Sequence, residues 1–267
     1  MFRFRYSIIL CIIILFSGSL KAQILNIDRE IIPDSTSKKW ELITSLSLSA
    51  NKQKQSVVET KSDVEVYRNF KSNYTLLLVF KDNAIFNDHA TIQNQGMFHL
   101  RFRDRDHRKI SPEEYIQYQW NGSWGMQYRY LTGANLRIKW IDLNKNDLYS
   151  GIGVFREWEK WGWSGVKDEL VPLNHPDISR QLYRLNSYCK ASWQLSSVVD
   201  IVSASYLQFP LSGKFFQPRW YFETNLYVAA SKHLNFLLHW DQIKDTKRVV
   251  PINTFSYNYS TGIQLNF

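Results

Sequence analysis

Asn253-Thr254-Phe255-Ser256-Tyr257-Asn258-Tyr259-Ser260-Thr261-Gly262-Ile263-Gln264-Leu265-Asn266-Phe267 alternates almost without fault. Phe255, Tyr257, Tyr259, Ile263, Leu265 and Phe267 fall on one face; Thr254, Ser256, Asn258, Ser260, Gly262, Gln264 and Asn266 fall on the other, and Thr261 is the lapse. Successive strand side chains point to opposite faces, so this is a strand with one oily and one wet side. A bilayer-spanning barrel needs that arrangement, with lipid outside and a polar lumen inside. The aromatic residue at position 267 strengthens the expectation.

The same pattern repeats upstream. Phe98, Leu100 and Phe102 oppose His99, Arg101 and Arg103; Ala134, Leu136, Ile138 and Trp140 oppose Gly133, Asn135, Arg137 and Lys139; Val58, Val64 and Val66 oppose Glu59, Lys61, Asp63 and Glu65. Phe216, Trp220, Phe222, Leu226 and Val228 oppose Gln217, Arg219, Glu223 and Asn225, and Phe236, Leu238 and Trp240 oppose Asn235, His239 and Asp241. Tyr74 to Phe80 is apolar on both faces, which leaves its register open.

About twelve strands are expected, near 40–50, 56–69, 73–83, 91–104, 113–123, 130–142, 147–158, 178–190, 193–208, 214–230, 233–242 and 253–267. The fold class expected is therefore an all-β, antiparallel, up-and-down transmembrane barrel over 40–267. Short polar turns alternate with longer stretches near 157–178, 207–215 and 241–253, the longest from Glu157 to Ile178. In such barrels the short turns are periplasmic, which places both termini there. Trp40, Trp140 and Trp193 fall at inner strand ends and Trp120, Trp124, Trp158, Trp220 and Trp240 near outer ones, where indole rings settle at a membrane surface. A soluble two-sheet sandwich also alternates, but strands this long and this rich in outward aromatics do not suit it.

At the other end, Met1-Phe2-Arg3-Phe4-Arg5 precedes the apolar run Ile8 to Phe16 and small residues up to Ala22, the layout of a signal peptide cleaved after residue 22. The run is too short for a spanning helix. Residues 23–39 then form a polar periplasmic leader. Cleavage removes Arg3, Arg5 and Lys21 and lowers the net charge from +9 to +6. No basic block suggests nucleic acid. With Cys189 as the one remaining cysteine, an internal disulfide is excluded, as is a cysteine metal cluster.

The segment Gln117 to Ile138, together with Trp40-Glu41-Leu42, Ser45-Leu46-Ser47-Leu48-Ser49 and Tyr257 to Phe267, resembles the family of salt-induced outer-membrane proteins, a barrel domain of unknown function. The resemblance implies location and fold, and carries no catalytic residues. The chain departs from that family's pattern at Asn51 to Gln55 and in its tryptophan-rich fourth loop.

The lumen-facing charges expected are Glu59, Lys61, Asp63, Glu65, His99, Arg101, Arg103, Arg137, Lys139, Arg184, Arg219, Glu223, His239 and Asp241. Both signs are present, so they either select ions or pair into a plug. Trp158, Trp161, Trp163 and His175 are candidates for an outer-loop grip on surface glycans or a partner. An enzyme would need a nucleophile and a base, for which His175 with Asp177 and Ser179, or His239 with Asp241, are the candidates; no diagnostic motif supports them. Asp104, Asp106 and His107 cluster in a turn without metal-site spacing, and neither a metal nor a cofactor is expected. The function expected is an envelope barrel, structural or a narrow channel for small solutes, that has no enzymatic role. Its partners are outer-membrane lipids and, during insertion, the barrel-assembly machinery.

Overall fold

The computed structural model describes residues 39–52, 56–70, 74–87, 91–104, 109–143, 146–212 and 217–266. The signal peptide, the leader up to residue 38, Asp106, His107 and Phe216 lie outside them. Twelve strands follow in order: β1 Trp40–Lys52, β2 Ser56–Asn69, β3 Tyr74–Asn87, β4 Thr91–Asp104, β5 Ile110–Asn121, β6 Met126–Leu143, β7 Asn146–Trp161, β8 Ile178–Gln194, β9 Val199–Pro210, β10 Arg219–Ala229, β11 Leu234–Asp245 and β12 Phe255–Asn266. Each pairs antiparallel with its neighbours in sequence, and β1 meets β12, so the sheet closes on itself. This is the expected architecture. Closure reduces the free sheet edge, which hydrocarbon does not tolerate, to part of the β1–β12 seam.

The period of two sorts the wall. Leu136, Ile152, Val154, Leu238, Tyr259 and Ile263 stand exposed on the outer surface, while Ser256, Gln264, Asn235, Asn135 and Arg137 are buried inside. A sandwich would bury the first set. Strand β3, ambiguous in sequence, turns Leu77 and Val79 inward against Ile43 and Tyr67 and leaves Leu78 outside. The partner strands settle it, because Val79 sits opposite Glu65 and His99, both lumen residues.

Boundaries differ from expectation by three residues or more at several strands, β7, β9 and β10 among them. Strand β7 continues past Glu157 to Trp161, so the long connection is 162–177. The run Glu157-Trp158-Glu159-Lys160-Trp161 reads as loop from its charge, but it keeps alternating, with Glu157, Glu159 and Trp161 inside. Strand β9 starts at Val199 rather than 193, because Leu195 and Ser196 form a turn whose amides reach the Val199 carbonyl. Strand β10 starts at Arg219 rather than 214. The start of β1 and the end of β12 share one end with the short turns, and the β7–β8, β9–β10 and β11–β12 connections leave from the other; these are called the turn end and the loop end.

Aromatic side chains mark both ends. Near the turn end Arg68 lies over Trp40 at 4.3 Å, and the Trp140 indole donates to Ser150 Oγ at 2.8 Å. Toward the loop end Tyr118 packs against Trp120 and Tyr130, and Trp240 stacks on Tyr259. Trp124 departs from the expected girdle: the short 3-10 turn Gly122–Trp124 folds it into the barrel mouth.

Large inward side chains need gaps opposite them. Gly151 supplies one, since a Cβ there would stand 2.1 Å from the Tyr188 ring, whose hydroxyl donates across the lumen to Glu113. Gly151→Leu is expected to displace that ring and cost about 1–3 kcal/mol, the range for overpacking. Denaturant titration of the refolded barrel measures it, and an unchanged midpoint would contradict the contact.

Candidate functional site

All fourteen expected lumen charges lie on strand positions of inward parity, but they divide into three groups. The first is a dense ion-pair network toward the loop end. Glu157 accepts from Arg129 Nη2 at 2.6 Å and Nε at 3.0 Å, from Arg184 Nε at 2.6 Å and from Arg219 Nη1 at 3.2 Å. Glu159 accepts from Arg180 at 2.7 and 3.0 Å and from Arg219 Nη2 at 3.4 Å, with Arg129 Nε 3.2 Å away. Arg219 Nε also donates to Asp245 at 2.9 Å. Strand β10 reaches β7 here past two intervening strands, so these bonds cross the lumen. Arg248, in the 246–254 connection, stacks over Trp124 at 4.2 Å, and its three guanidinium nitrogens are buried without a hydrogen-bond partner.

The second group lies toward the turn end. Glu113 accepts from Asn135 at 3.2 Å and from Tyr188, Asn186 donates to Asn135 at 3.3 Å, and Arg137 lies over Tyr149 at 3.6 Å. His99 meets Gln117 at 3.0 Å, and Arg103 is buried beside Arg101 on β4. Lys139 pairs with Asp142 at the rim.

The third group borders open space. A cavity of about 1190 Å³ runs along the β1–β4 and β10–β12 side of the lumen, lined by Glu59, Lys61, Asp63, Glu65, Glu223, His239 and Asp241. Lys81 and Lys167 join them. Glu59 binds Lys61 at 2.9 Å and Lys81 lies 4.0 Å from Asp63. Asp241 Oδ1 takes His239 Nε2 at 2.9 Å and Asn258 Nδ2 at 3.2 Å, while its Oδ2 is buried without a partner. With Asp82, six carboxylates thus share the cavity wall with three amines, which makes it acidic.

The tryptophan-rich connection is not an open grip. Trp161 is buried and donates to Glu159 at 3.3 Å, Trp163 donates to the Pro176 carbonyl at 3.1 Å, and Trp158 lies under Arg156. Gly165, Lys167 and Leu170 of the same connection border the cavity, so the segment folds over the mouth. Of the four candidates His175 alone is exposed. Asp177 is held by Lys160 at 3.0 Å, which keeps its carboxyl below the usual range, and so it is engaged away from His175. Both ring nitrogens of His239 face the oxygens of Asn225 and Asp241, leaving neither directed at a nucleophile. Among the described residues no group of His, Cys, Asp and Glu has the geometry of a metal site.

Arg129, Glu157, Glu159, Arg180, Asp245, Arg248, Glu113 and Lys81 were not singled out by the sequence. Continued alternation through 157, 159 and 161 was the available signal for two of them. Lys81 was hidden by the uniformly apolar start of its strand.

No protein-family model matches the chain, and no curated protein matches it either. Among solved structures it is similar to the NanC porin, at 12% identity with a TM-score of 0.49 over 85% of this chain and 98% of that one. It is also similar to the translocator domain of the autotransporter NalP from Neisseria meningitidis, at 10% identity and a TM-score of 0.48 over 88% and 90%. The β domain of the Bordetella autotransporter BrkA gives 8% identity and a TM-score of 0.39 over 85% and 97%.

Proposed function

We propose that this chain is a bacterial outer-membrane barrel that offers small solutes a narrow, cation-preferring path, with its long connections outside and both termini in the periplasm. The observation that carries this reading is the division of the lumen. The Arg129–Glu157–Arg219 network fills one side with paired charge, and the space left over is bordered by unbalanced carboxylates. Eight-stranded barrels are filled by side chains and those of sixteen strands hold aqueous channels, so twelve strands suit a constricted path. A ring of carboxylates raises the local cation concentration in such a constriction. The resemblance of Gln117 to Ile138 to the salt-induced family fits an envelope role of this kind.

Planar-bilayer recording tests it. The full chain is expected to give small conductance steps whose reversal potential in a salt gradient has the sign of cation preference. The double variant Glu223→Gln with Asp241→Asn is expected to move that potential toward zero. Anion preference would overturn the acidic-path reading, and silence under every salt and voltage would leave the barrel only a structural role.

A further inference from the structure

The seam that closes the barrel is zipped over part of its length. Among the described residues, strand β1 pairs with β2 from Trp40↔Arg68 to Lys52↔Ser56, but with β12 only from Ile43↔Asn266 to Leu46↔Ile263. Strand β12 likewise pairs with β11 up to Lys244↔Phe255. Residues 47–52 and 255–262 therefore have a ladder partner on one side alone. Ser47 Oγ, donating to the Thr261 carbonyl at 2.9 Å, ties the strands one step further.

Antiparallel strands direct alternate backbone groups to opposite neighbours, so every second residue of these segments turns an N–H and a C=O toward the opening. Hydrocarbon alone does not satisfy such groups. Six residues rise about 20 Å along a strand, and with barrel tilt that is on the order of one leaflet.

What stands on either side of the seam differs. Every residue from Ser256 to Gly262 borders the cavity, whereas fully paired β2 contributes only the alternate Glu59, Lys61, Asp63 and Glu65. On the outer side Leu46, Leu48 and Tyr259 are 60%, 69% and 65% exposed. The cavity behind is acidic, and Asp241 Oδ2 is buried and unpartnered in its wall. An apolar exterior thus leads through an unpaired ladder to a polar interior whose wall carries more carboxylates than amines.

We propose that the β1–β12 seam is a lateral portal for a cationic single-chain amphiphile. The charged head enters the acidic cavity beside Asp241, and the alkyl chain stays in the bilayer between Leu48 and Tyr259. The proposal rests on the acidic lumen described under Proposed function and adds a route and a ligand class to it.

The test uses the full chain in nanodiscs with Cys189→Ser, and calorimetric binding of dodecyltrimethylammonium and of tetramethylammonium against empty nanodiscs. Leu48→Cys with Thr261→Cys, opposite each other if the ladder were continued, staples the seam. Thr44→Cys with Leu265→Cys, already partners, is the control staple. Oxidising the seam staple is expected to weaken dodecyltrimethylammonium binding at least tenfold, with recovery on reduction. The control staple changes nothing, and tetramethylammonium, small enough for the mouth, binds alike in both states. Ser260→Trp, which fills the seam from the lumen side, is expected to give the same loss without a disulfide. Undiminished dodecyltrimethylammonium binding in the stapled and the tryptophan variants overturns the portal while the cation site stands. Failure of both cations to bind the unmodified chain removes the acidic-lumen reading and the portal with it.

Discussion

Glu157→Gln is expected to destabilise the folded barrel by about 3–5 kcal/mol, the range for removing one partner from a buried ion pair. The side chain is fully buried and takes four hydrogen bonds from three guanidiniums. Glutamine keeps the shape but removes the charge, and Arg129, Arg184 and Arg219 then share Glu159 and Asp245 alone. Water cannot easily restore the balance, since Arg129 and Arg219 are as buried as the carboxylate. The contrast is Asp142→Asn, which removes the half-exposed rim partner of Lys139 and is expected to cost under about 1 kcal/mol. Reversible urea unfolding in lipid vesicles, followed by tryptophan fluorescence, gives both values. Equal costs would mean that the lumen network is solvated and holds nothing together.

Ile152→Arg is expected to cost about 2–4 kcal/mol in a bilayer, the value for arginine on the lipid face at mid-depth. Ile152 lies near the middle of β7, points outward, and is flanked by Leu136 on β6 and Ser187 on β8. Leu143→Arg, at the last residue of β6 and equally outward, is expected to cost only about 0–1 kcal/mol, because the interface hydrates the charge. The comparison separates lipid from water as the outer solvent. A water-facing wall accepts arginine at both depths with no difference, and that result would remove the membrane from the account.

The two variants probe faces that were legible in the sequence to different degrees. Leu136 and Leu238 declare themselves by alternation with Asn135 and His239. Tyr74 to Phe80 does not, because inward Leu77 and Val79 pack on Ile43 and Tyr67 and need no polarity. Glu157 and Glu159 were read as the start of a loop, since charge beside tryptophan usually marks a wet connection. In the folded barrel the same carboxylates are neutralised by arginines from β6, β8 and β10, partners between about 20 and 60 residues away in sequence. Trp124 and Trp161 look like girdle or grip residues by composition, yet both are drawn into the mouth.

By itself the sequence determined that this chain forms amphipathic strands and which side of most of them is oily, because the period of two is a property of the local backbone. It also set an excess of inward charge of both signs. Only the tertiary structure decided which charges meet, where space remains, and where the seam stops pairing. Those depend on strand register, closure and the depth at which each side chain enters a shared lumen, and such distances are set by the whole ring of twelve strands rather than by any one of them.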